Sequence, residues 1–248
     1  MNQKARILIQ GRIRLKSGLR IGAQREGAEI GGIDNPIIKH PATGEPYIPG
    51  SSIKGKLRSL FEVYKNSKDP KKYEFNRSMK EGLVKIHACD KDFSEIPECE
   101  VCRLFGTSGQ TKDNFPSRLI FRDAMPVGWR DELLEVKYEA AIDRITSAAN
   151  PRPMERVAPG AEFKFEVVYR MEDNNYREDL KNLVISMRLL EDDYLGGAGS
   201  RGYGKVEILI DRIVKRSMDY YTGKEDEHVL HDTKGSRVEE IERVLDSL

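Results

Sequence analysis

Strand-like and helix-like apolar patterns follow one another in a definite order along this sequence. That order limits the folds that the chain can adopt. The stretch RILIQGRIRL alternates apolar and basic residues, which predicts a half-buried strand with a basic open face. SSIKGKLRSLFEVY and YREDLKNLVISMRLLEDDYLGG place apolar residues at helical spacing, and RLIFRDAMPV, EFKFEVVYR and GYGKVEILIDRIVK read as strands. This order of elements, strand, helix, strands, helix and strand, predicts an α+β, ferredoxin-like βαββαβ core.

Two insertions and a tail complete the predicted organisation. Residues 66–118 are charged and irregular and contain all three cysteines, which indicates an insertion. Residues from about 131 to 161 form a long hairpin or protruding loop around the polar segment DRITSAANPRPMERVAPG. We therefore predict one domain over residues 1–216, followed by a charged tail, 217–248, with a short helix near its end.

The distribution of charge indicates a polyanionic partner more clearly than the net charge does. The chain of 248 residues has 42 Lys and Arg against 41 Asp and Glu, but residues 1–65 hold 12 basic residues against 5 acidic ones. A basic third in a near-neutral protein is typical of a face that binds nucleic acid. The sequence has neither a secretory signal nor an apolar run long enough for a membrane helix, so we expect a soluble, cytoplasmic protein without membrane contact.

The cysteines predict a metal site. His87-x-Cys89 and Cys99-x-x-Cys102 supply one imidazole and three thiolates, a complete tetrahedral set for Zn²⁺. With no position left for water or substrate, such a zinc ion would be structural and would stabilise the insertion. The alternative is three buried cysteines beside an unrelated histidine, which is less favoured because every cysteine of the chain lies in this segment.

The start of the first helix has the chemistry of a phosphate site. Ser51 or Ser52 can cap it, and Lys54, Lys56 and Arg58 lie within its first two turns. Free N–H groups and cations together can hold an anion, although surface lysines most often only face solvent.

Two further segments have both a structural and a functional interpretation. LGGAGSRGYGKV has five glycines, among them Gly197 and Gly199, and one arginine, Arg201. It is either a tight connection or a backbone that approaches a sugar-phosphate chain. Ile145 and Met154, in the polar tip of the hairpin, are either surface residues or wedges between bases.

Asp34 lies in GGIDNPIIKH, and its chemistry alone favours a turn. Asp before Asn-Pro is a common turn former, and no second carboxylate lies within a few residues. A lone acid cannot be assigned a catalytic role from spacing.

Three separated motifs resemble the repeated backbone subunits of type III-A CRISPR effector complexes, the Csm complexes, within the RAMP superfamily. They are GGIDNPIIKHPATGEPYIPGSSIKGKLRSLFE, AIDRITSAANPRPMERVAPGAEFKFE and LGGAGSRGYGKV, and the resemblance spans about residues 6–214. It implies an RRM-like core and head-to-tail polymerisation along a CRISPR guide RNA beside other Csm subunits. It also implies a thumb hairpin that displaces a base pair of the guide–target duplex, and metal-dependent cleavage of the complementary target RNA at regular intervals.

Transferred to this sequence, the resemblance assigns Asp34 to the catalytic position, with Mg²⁺ or Mn²⁺ as cofactor. The hairpin around Arg144 to Arg156 is the thumb. The family's contacts to RNA fall on the following residues: Arg20, Ser51, Ser52, Lys54, Lys56, Arg58, Arg144, Met154, Gly197, Gly199 and Arg201. Zinc varies within the family, so the assignment of His87, Cys89, Cys99 and Cys102 rests on ligand chemistry.

Three other functions remain open. The first is a non-catalytic RNA-binding scaffold in which Asp34 only shapes its loop. The second is a metal-independent endoribonuclease that processes guide RNA, for which His40 is the available base. A zinc-dependent hydrolase ranks last because the predicted zinc site has no free position.

Overall fold

A computed structural model of the chain describes residues 4–23, 36–79, 82–89, 98–107 and 114–246. The predicted catalytic Asp34 lies outside the described residues. The helices are α1 (Gly50–Lys68), α2 (Glu100–Phe105), α3 (Tyr176–Asp192) and α4 (Val238–Asp246). The strands are β1 (Ala5–Leu15), β2 (Arg77–Met79), β3 (Val84–Ile86), β4 (Leu119–Phe121), β5 (Met125–Pro126), β6 (Leu134–Ile142), β7 (Ala149–Val157), β8 (Glu162–Met171), β9 (Val206–Ser217) and β10 (His228–Arg237).

An antiparallel sheet in the order β10-β9-β1-β8-β4 forms the centre of the molecule, and β5 pairs with β8 beside β4. Helix α1 lies in the connection from β1 to β4, and α3 lies in the connection from β8 to β9. β1 therefore has the middle position, between strands that follow it much later in the chain. The segment after the C-terminal end of β1 contacts the hairpin through Leu19 and the glycine-rich loop through Arg20.

The predicted periodicities of β1, α1 and α3 are confirmed by their burial. Ile7, Ile13 and Leu15 of β1 are at most 1% exposed. The apolar stripes of the two helices face the same core, through Ile53, Leu57 and Phe61 of α1 and Leu180, Leu183 and Met187 of α3. None of the helices in the described ranges is long and apolar enough to cross a membrane.

The segment after residue 216 is part of this core, which corrects its interpretation as a separate tail. β10 pairs with β9, and α4 packs against α3. Val238, Ile241 and Leu245 of α4 are buried, as expected for the predicted short helix. The charged residues of the segment hid this role because they face solvent on both sides of a narrow apolar stripe.

The prediction of a basic open face on β1 is wrong. Arg12 forms ion pairs with Glu162 and Asp211 at 2.9 and 3.0 Å, and Arg14 pairs with Glu162 and Glu207 at 2.8 and 3.1 Å. The acids come from β8 and β9, the two strands that flank β1. This face of the sheet is therefore a network of neutralised charges rather than a basic surface.

Strands β6 and β7 form a separate two-stranded hairpin that corresponds to the predicted protrusion. Its register pairs Leu134 with Val157 at the base and Ile142 with Ala149 near the turn. The base is joined to the body by a bridge between Leu19 and Val157, with hydrogen bonds of 2.9 Å in both directions. The hairpin thus projects from the segment that directly follows β1.

Candidate functional site

The four predicted metal ligands come together in one buried cluster. The ligand atoms of His87, Cys89, Cys99 and Cys102 all lie within 4.8 Å of one another. His87 Nε2 is 3.3 Å from the Sγ atom of Cys99 and 3.5 Å from that of Cys89. Ligands on a zinc tetrahedron lie about 3.5 to 3.8 Å apart, given the usual Zn–S and Zn–N bond lengths. The donor set and its spacing fit a tetrahedral ion such as Zn²⁺.

Hydrogen bonds around the cluster prepare its atoms for coordination. His87 Nδ1 lies 2.9 Å from the carbonyl oxygen of Glu74, so a proton on Nδ1 leaves Nε2 free to face the cluster. The Sγ of Cys99 accepts the N–H of Cys102 at 3.5 Å, at the start of α2. Hydrogen bonds from Cys102 and Cys89 lower the pKa of the Cys99 thiol. Cys99 is therefore predisposed to be a thiolate, the form that binds metal.

The cluster is built into the protein core. All three cysteines belong to the main apolar core, together with Val101, Leu104 and Phe105 of α2. Arg103 of α2 donates from Nε to Asp179 of α3 at 2.8 Å, and both side chains are at most 4% exposed. The cluster consequently lies at a junction between the insertion and both large helices.

The N-cap of α1 is not one of the serines that the sequence predicted. Pro49 is the N-cap residue, and neither Ser51 nor Ser52 caps the helix. Instead, Asp123 Oδ1 accepts the N–H of Gly50 at 2.7 Å. No sequence signal points to Asp123, because it lies 73 residues away and beyond β4. One of the N–H groups expected to be free for a phosphate is thus already bound to a carboxylate.

The three cations in the first turns of α1 have different surroundings. Lys56 pairs with Asp193 at 2.9 Å, and its Nζ lies 3.8 Å from the centre of the Tyr194 ring. Arg58 pairs with Glu62 at 2.6 Å. Lys54 has no ion pair with any residue in the described ranges, which makes it the cation of this helix best placed to bind an external anion.

An open cleft of about 500 Å³ lies beside Lys54. Ser51, Gly55 and Arg58 of α1 form one wall, and the segments 105–107 and 114–117 form the other. Burial lowers the pKa of Lys54, and the charges of Arg58 and Arg170 lower it further. A phosphate in this cleft would relieve the repulsion between the cations.

Most glycines of the glycine-rich loop have a structural reason. A Cβ at Gly199 would lie 2.1 Å from the Tyr194 ring, and Gly196, Gly202 and Gly204 have φ angles of 78°, 85° and 78°. Gly197 is different, because a Cβ there would meet nothing closer than 3.7 Å. Of the two glycines assigned to RNA, only Gly197 therefore has room for a side chain.

The same loop joins Arg20 and the hairpin. The N–H of Gly197 donates to the carbonyl oxygen of Arg20 at 2.8 Å. Arg201, 59% exposed, pairs with Glu139 of β6 at 3.0 Å. The loop, the segment after β1 that contains Arg20, and the hairpin thus form one continuous surface.

The hairpin places its predicted contact residues differently from expectation. Arg144 lies in the exposed turn of the hairpin. Met154 is 8% exposed and pairs with Lys137 within the strands, so its predicted location at the tip is wrong. Ile145, 94% exposed, is the apolar residue of the tip. The strand register decides this, because it puts the turn ten residues before Met154.

Glu155 is a site residue that sequence reasoning missed. Its carboxylate accepts the N–H of Ile37 at 2.8 Å and pairs with Lys39 at 2.7 Å, although the residue is only 3% exposed. The segments on either side of the undescribed residues 24–35 meet at the same place, where the N–H of Ala23 donates to Pro36 O at 3.2 Å. The hairpin base is therefore attached to the segment that follows Asp34. The available signal was a carboxylate two residues before the apolar Val157, on the same face of β7.

Comparison with known proteins assigns these features to a family. The model of the RAMP superfamily matches residues 12–207. A protein of Methanothermobacter thermautotrophicus named CRISPR system Cms endoribonuclease Csm3 is 40% identical, over 91% of this chain and 92% of its own length. The crystal structure of Methanopyrus kandleri Csm3 is similar with a TM-score of 0.70 and 28% identity, covering 99% of this chain and 97% of that one. A second similar structure is a chain in the crystal structure of the Csm3-Csm4 subcomplex of the type III-A CRISPR-Cas interference complex. It matches with a TM-score of 0.63 and 29% identity, covering 100% of this chain and 98% of that one.

Proposed function

The chain belongs to the Csm3 family of the RAMP superfamily, and from this premise we propose that it is a guide-RNA-binding backbone subunit of a type III-A CRISPR complex. In this role it is an endoribonuclease that cleaves the target RNA complementary to the guide. The observation that carries the conclusion is the match to a Csm3 endoribonuclease over nine-tenths of both chains. Neighbouring copies of itself, arranged head to tail, and other Csm subunits are its protein partners.

The antiparallel core supports the same proposal at the level of the fold. Strand order β9-β1-β8-β4, with α1 and α3 as the two crossovers, is the arrangement of a ferredoxin-like βαββαβ domain. The open face of its sheet is occupied by ion pairs, such as Arg12 with Asp211. RNA is therefore bound at the helix starts, loops and hairpin rather than on the sheet.

The guide backbone is held by groups that lie along one continuous surface. Lys54 contributes a cation to the cleft beside α1, and the glycine-rich loop lies next to Arg20 through the hydrogen bond of Gly197. Arg144 and Ile145 form the exposed tip of the thumb hairpin. Phosphate contacts of this kind position the RNA and are largely independent of sequence.

Cleavage uses a nucleophile that belongs to the RNA. When a displaced base lets the backbone bend, the 2′-hydroxyl aligns with the adjacent phosphorus atom. The 2′-oxygen loses its proton and bonds to phosphorus, the bond from phosphorus to the 5′-oxygen breaks, and that oxygen takes up a proton. The products are a 2′,3′-cyclic phosphate and a 5′-hydroxyl.

Asp34 is the residue of this chain to which we assign the catalytic role. Its carboxylate orients the attacking hydroxyl or offers an oxygen ligand of the kind that Mg²⁺ and Mn²⁺ prefer. Such an ion, when bound, would neutralise developing negative charge on the phosphate. The zinc ion that we assign to His87, Cys89, Cys99 and Cys102 would take no part in the reaction, because four protein ligands leave it no open position.

A cleavage assay with the guide-loaded complex tests the proposal against its alternatives. We expect cuts at regular intervals in complementary RNA with Mg²⁺, no cuts with EDTA, and 2′,3′-cyclic phosphate ends. Target binding without cutting would indicate a scaffold. Cutting of single-stranded repeat RNA by the isolated chain in EDTA would indicate a processing enzyme.

Replacing Lys54 with alanine should weaken guide-RNA binding. It should also make the binding constant depend less steeply on salt concentration. Each phosphate contact to single-stranded RNA contributes about 0.7 to the slope of log K against log salt, so the slope should fall by about that amount. Fluorescence anisotropy with labelled RNA over a range of salt concentrations measures both quantities. Arg188→Ala, which removes an exposed cation paired with Glu242, is the matched control and should leave the slope unchanged. An unchanged slope in Lys54→Ala would remove this residue from the RNA-binding surface.

A further inference from the structure

Two side chains of α1 hold the main chain of the metal ligand His87. Arg58 donates from Nη2 to the carbonyl oxygen of His87 at 2.9 Å. Glu62 accepts the N–H of His87 on Oε2 at 3.4 Å, and its other oxygen accepts from Arg58 Nε at 2.6 Å. The pair therefore satisfies both polar groups of the His87 backbone. Since Glu62 is only 3% exposed, its carboxylate depends on these partners.

The cysteine half of the cluster is attached to the same helix. Glu100, the residue after Cys99, pairs with Lys65 of α1 at 3.4 Å and with Lys72 at 3.2 Å. It also accepts a hydrogen bond from the hydroxyl of Tyr73. Both halves of the ligand set thus depend on the position of α1.

Arg58 connects the cluster to the cleft as well. It lies one helical turn after Lys54, and both residues line the cleft of about 500 Å³. Its guanidinium reaches the His87 carbonyl from the same wall that carries Lys54. A change in the position of His87 would therefore change the charged wall of the cleft.

We propose that metal loading and RNA binding are energetically coupled through Arg58 and Glu62. This inference rests on the proposed function, because it takes the cleft beside Lys54 to be part of the RNA-binding surface. A metal ion would fix the His87 side chain and so keep its backbone where Arg58 and Glu62 find their partners. RNA in the cleft favours the same ordered arrangement of α1. Because coupling between two binding sites is reciprocal, RNA should raise metal affinity by the factor by which metal raises RNA affinity.

The first test needs no substitution. The full-length chain is loaded with Zn²⁺ or stripped with a chelator, and its affinity for a labelled single-stranded RNA is measured by anisotropy. Zn²⁺ transfer to a chromogenic chelator is measured with and without the RNA. We expect both affinities to change by the same factor, about fivefold or more. Equal RNA affinity of the loaded and stripped chains would overturn the coupling.

The second test locates the coupling at the two side chains. Glu62→Gln keeps the shape of the side chain but removes its charge, and Arg58→Lys keeps the charge but removes the forked geometry. Loss of a group that supports a metal ligand weakens metal binding by about 10- to 100-fold. The control variants Glu242→Gln and Arg188→Lys make the same two changes in an exposed ion pair. They should retain Zn²⁺ as the wild type does.

The outcomes separate the inference from the function on which it rests. Wild-type metal retention in both Glu62→Gln and Arg58→Lys would overturn the coupling while leaving RNA binding in place. Failure of the loaded wild-type chain to bind RNA at all would overturn the proposed function, and the coupling with it.

Discussion

Asp34→Ala is expected to reduce cleavage of target RNA by about 10²-fold or more, because a group that directs proton transfer or holds a metal ion contributes at least that much. Target binding should persist, since base pairing with the guide and the phosphate contacts that we propose for Lys54 and the glycine-rich loop do not use this carboxylate. Residual cleavage would reflect RNA positioning alone.

The measurement is the rate of target cleavage by guide-loaded complexes under single-turnover conditions, with binding measured alongside. Asp34→Asn keeps the shape and turn-forming ability of the residue but removes its charge, so it separates chemistry from loop structure. Glu45→Ala removes another carboxylate near the start of the chain and should cut at the wild-type rate. Full activity in Asp34→Asn would show that Asp34 only forms a turn and would favour the scaffold function.

Local patterns of the sequence were sufficient for β1, α1, β8, α3 and β9 and for the grouping of His87 with the three cysteines. The stripe Ile53, Leu57 and Phe61 repeats at helical spacing and is buried as expected. The two proposed ligand pairs, each only two or three residues apart, are brought together largely by their own backbone geometry. Such features depend on neighbours in the chain, which a sequence displays directly.

Features that depend on distant pairing could not be predicted. Arg14 is neutralised by Glu162 and Glu207, which are remote in sequence and become neighbours only through strand register. Asp123 caps α1 and Glu155 anchors the segment at Ile37 for the same reason. Counting charges along residues 1–65 therefore overestimated the basic surface. That Lys54 has no ion pair in the described part of the chain, unlike Lys56 and Arg58, was identifiable only once the partners of those two residues were known.

Cys99→Ser is expected to release the metal ion and to lower the free energy of unfolding by about 3 kcal/mol or more. The size of the effect follows from the position of Cys99, which is 4% exposed and begins α2 within the apolar core. If the metal ion is lost with this ligand, Cys89, Cys102 and His87 stay buried without the positive charge that would balance the thiolates. Because α2 contacts both large helices, the effect should spread beyond the insertion.

Metal content per chain and urea unfolding of the purified protein test this expectation. Wild-type protein should contain about one Zn²⁺ per chain, as a closed four-ligand site requires. The neighbouring variant Glu98→Gln, which changes an exposed residue, should retain both the metal and the stability. Chelator-treated wild type should unfold like Cys99→Ser, because both lack the same cross-link between the insertion and the core. Wild-type stability in Cys99→Ser, or no metal in the wild type, would mean that the cluster is three buried thiols beside a histidine and that apolar packing of Val101, Leu104 and Phe105 alone holds the insertion in place.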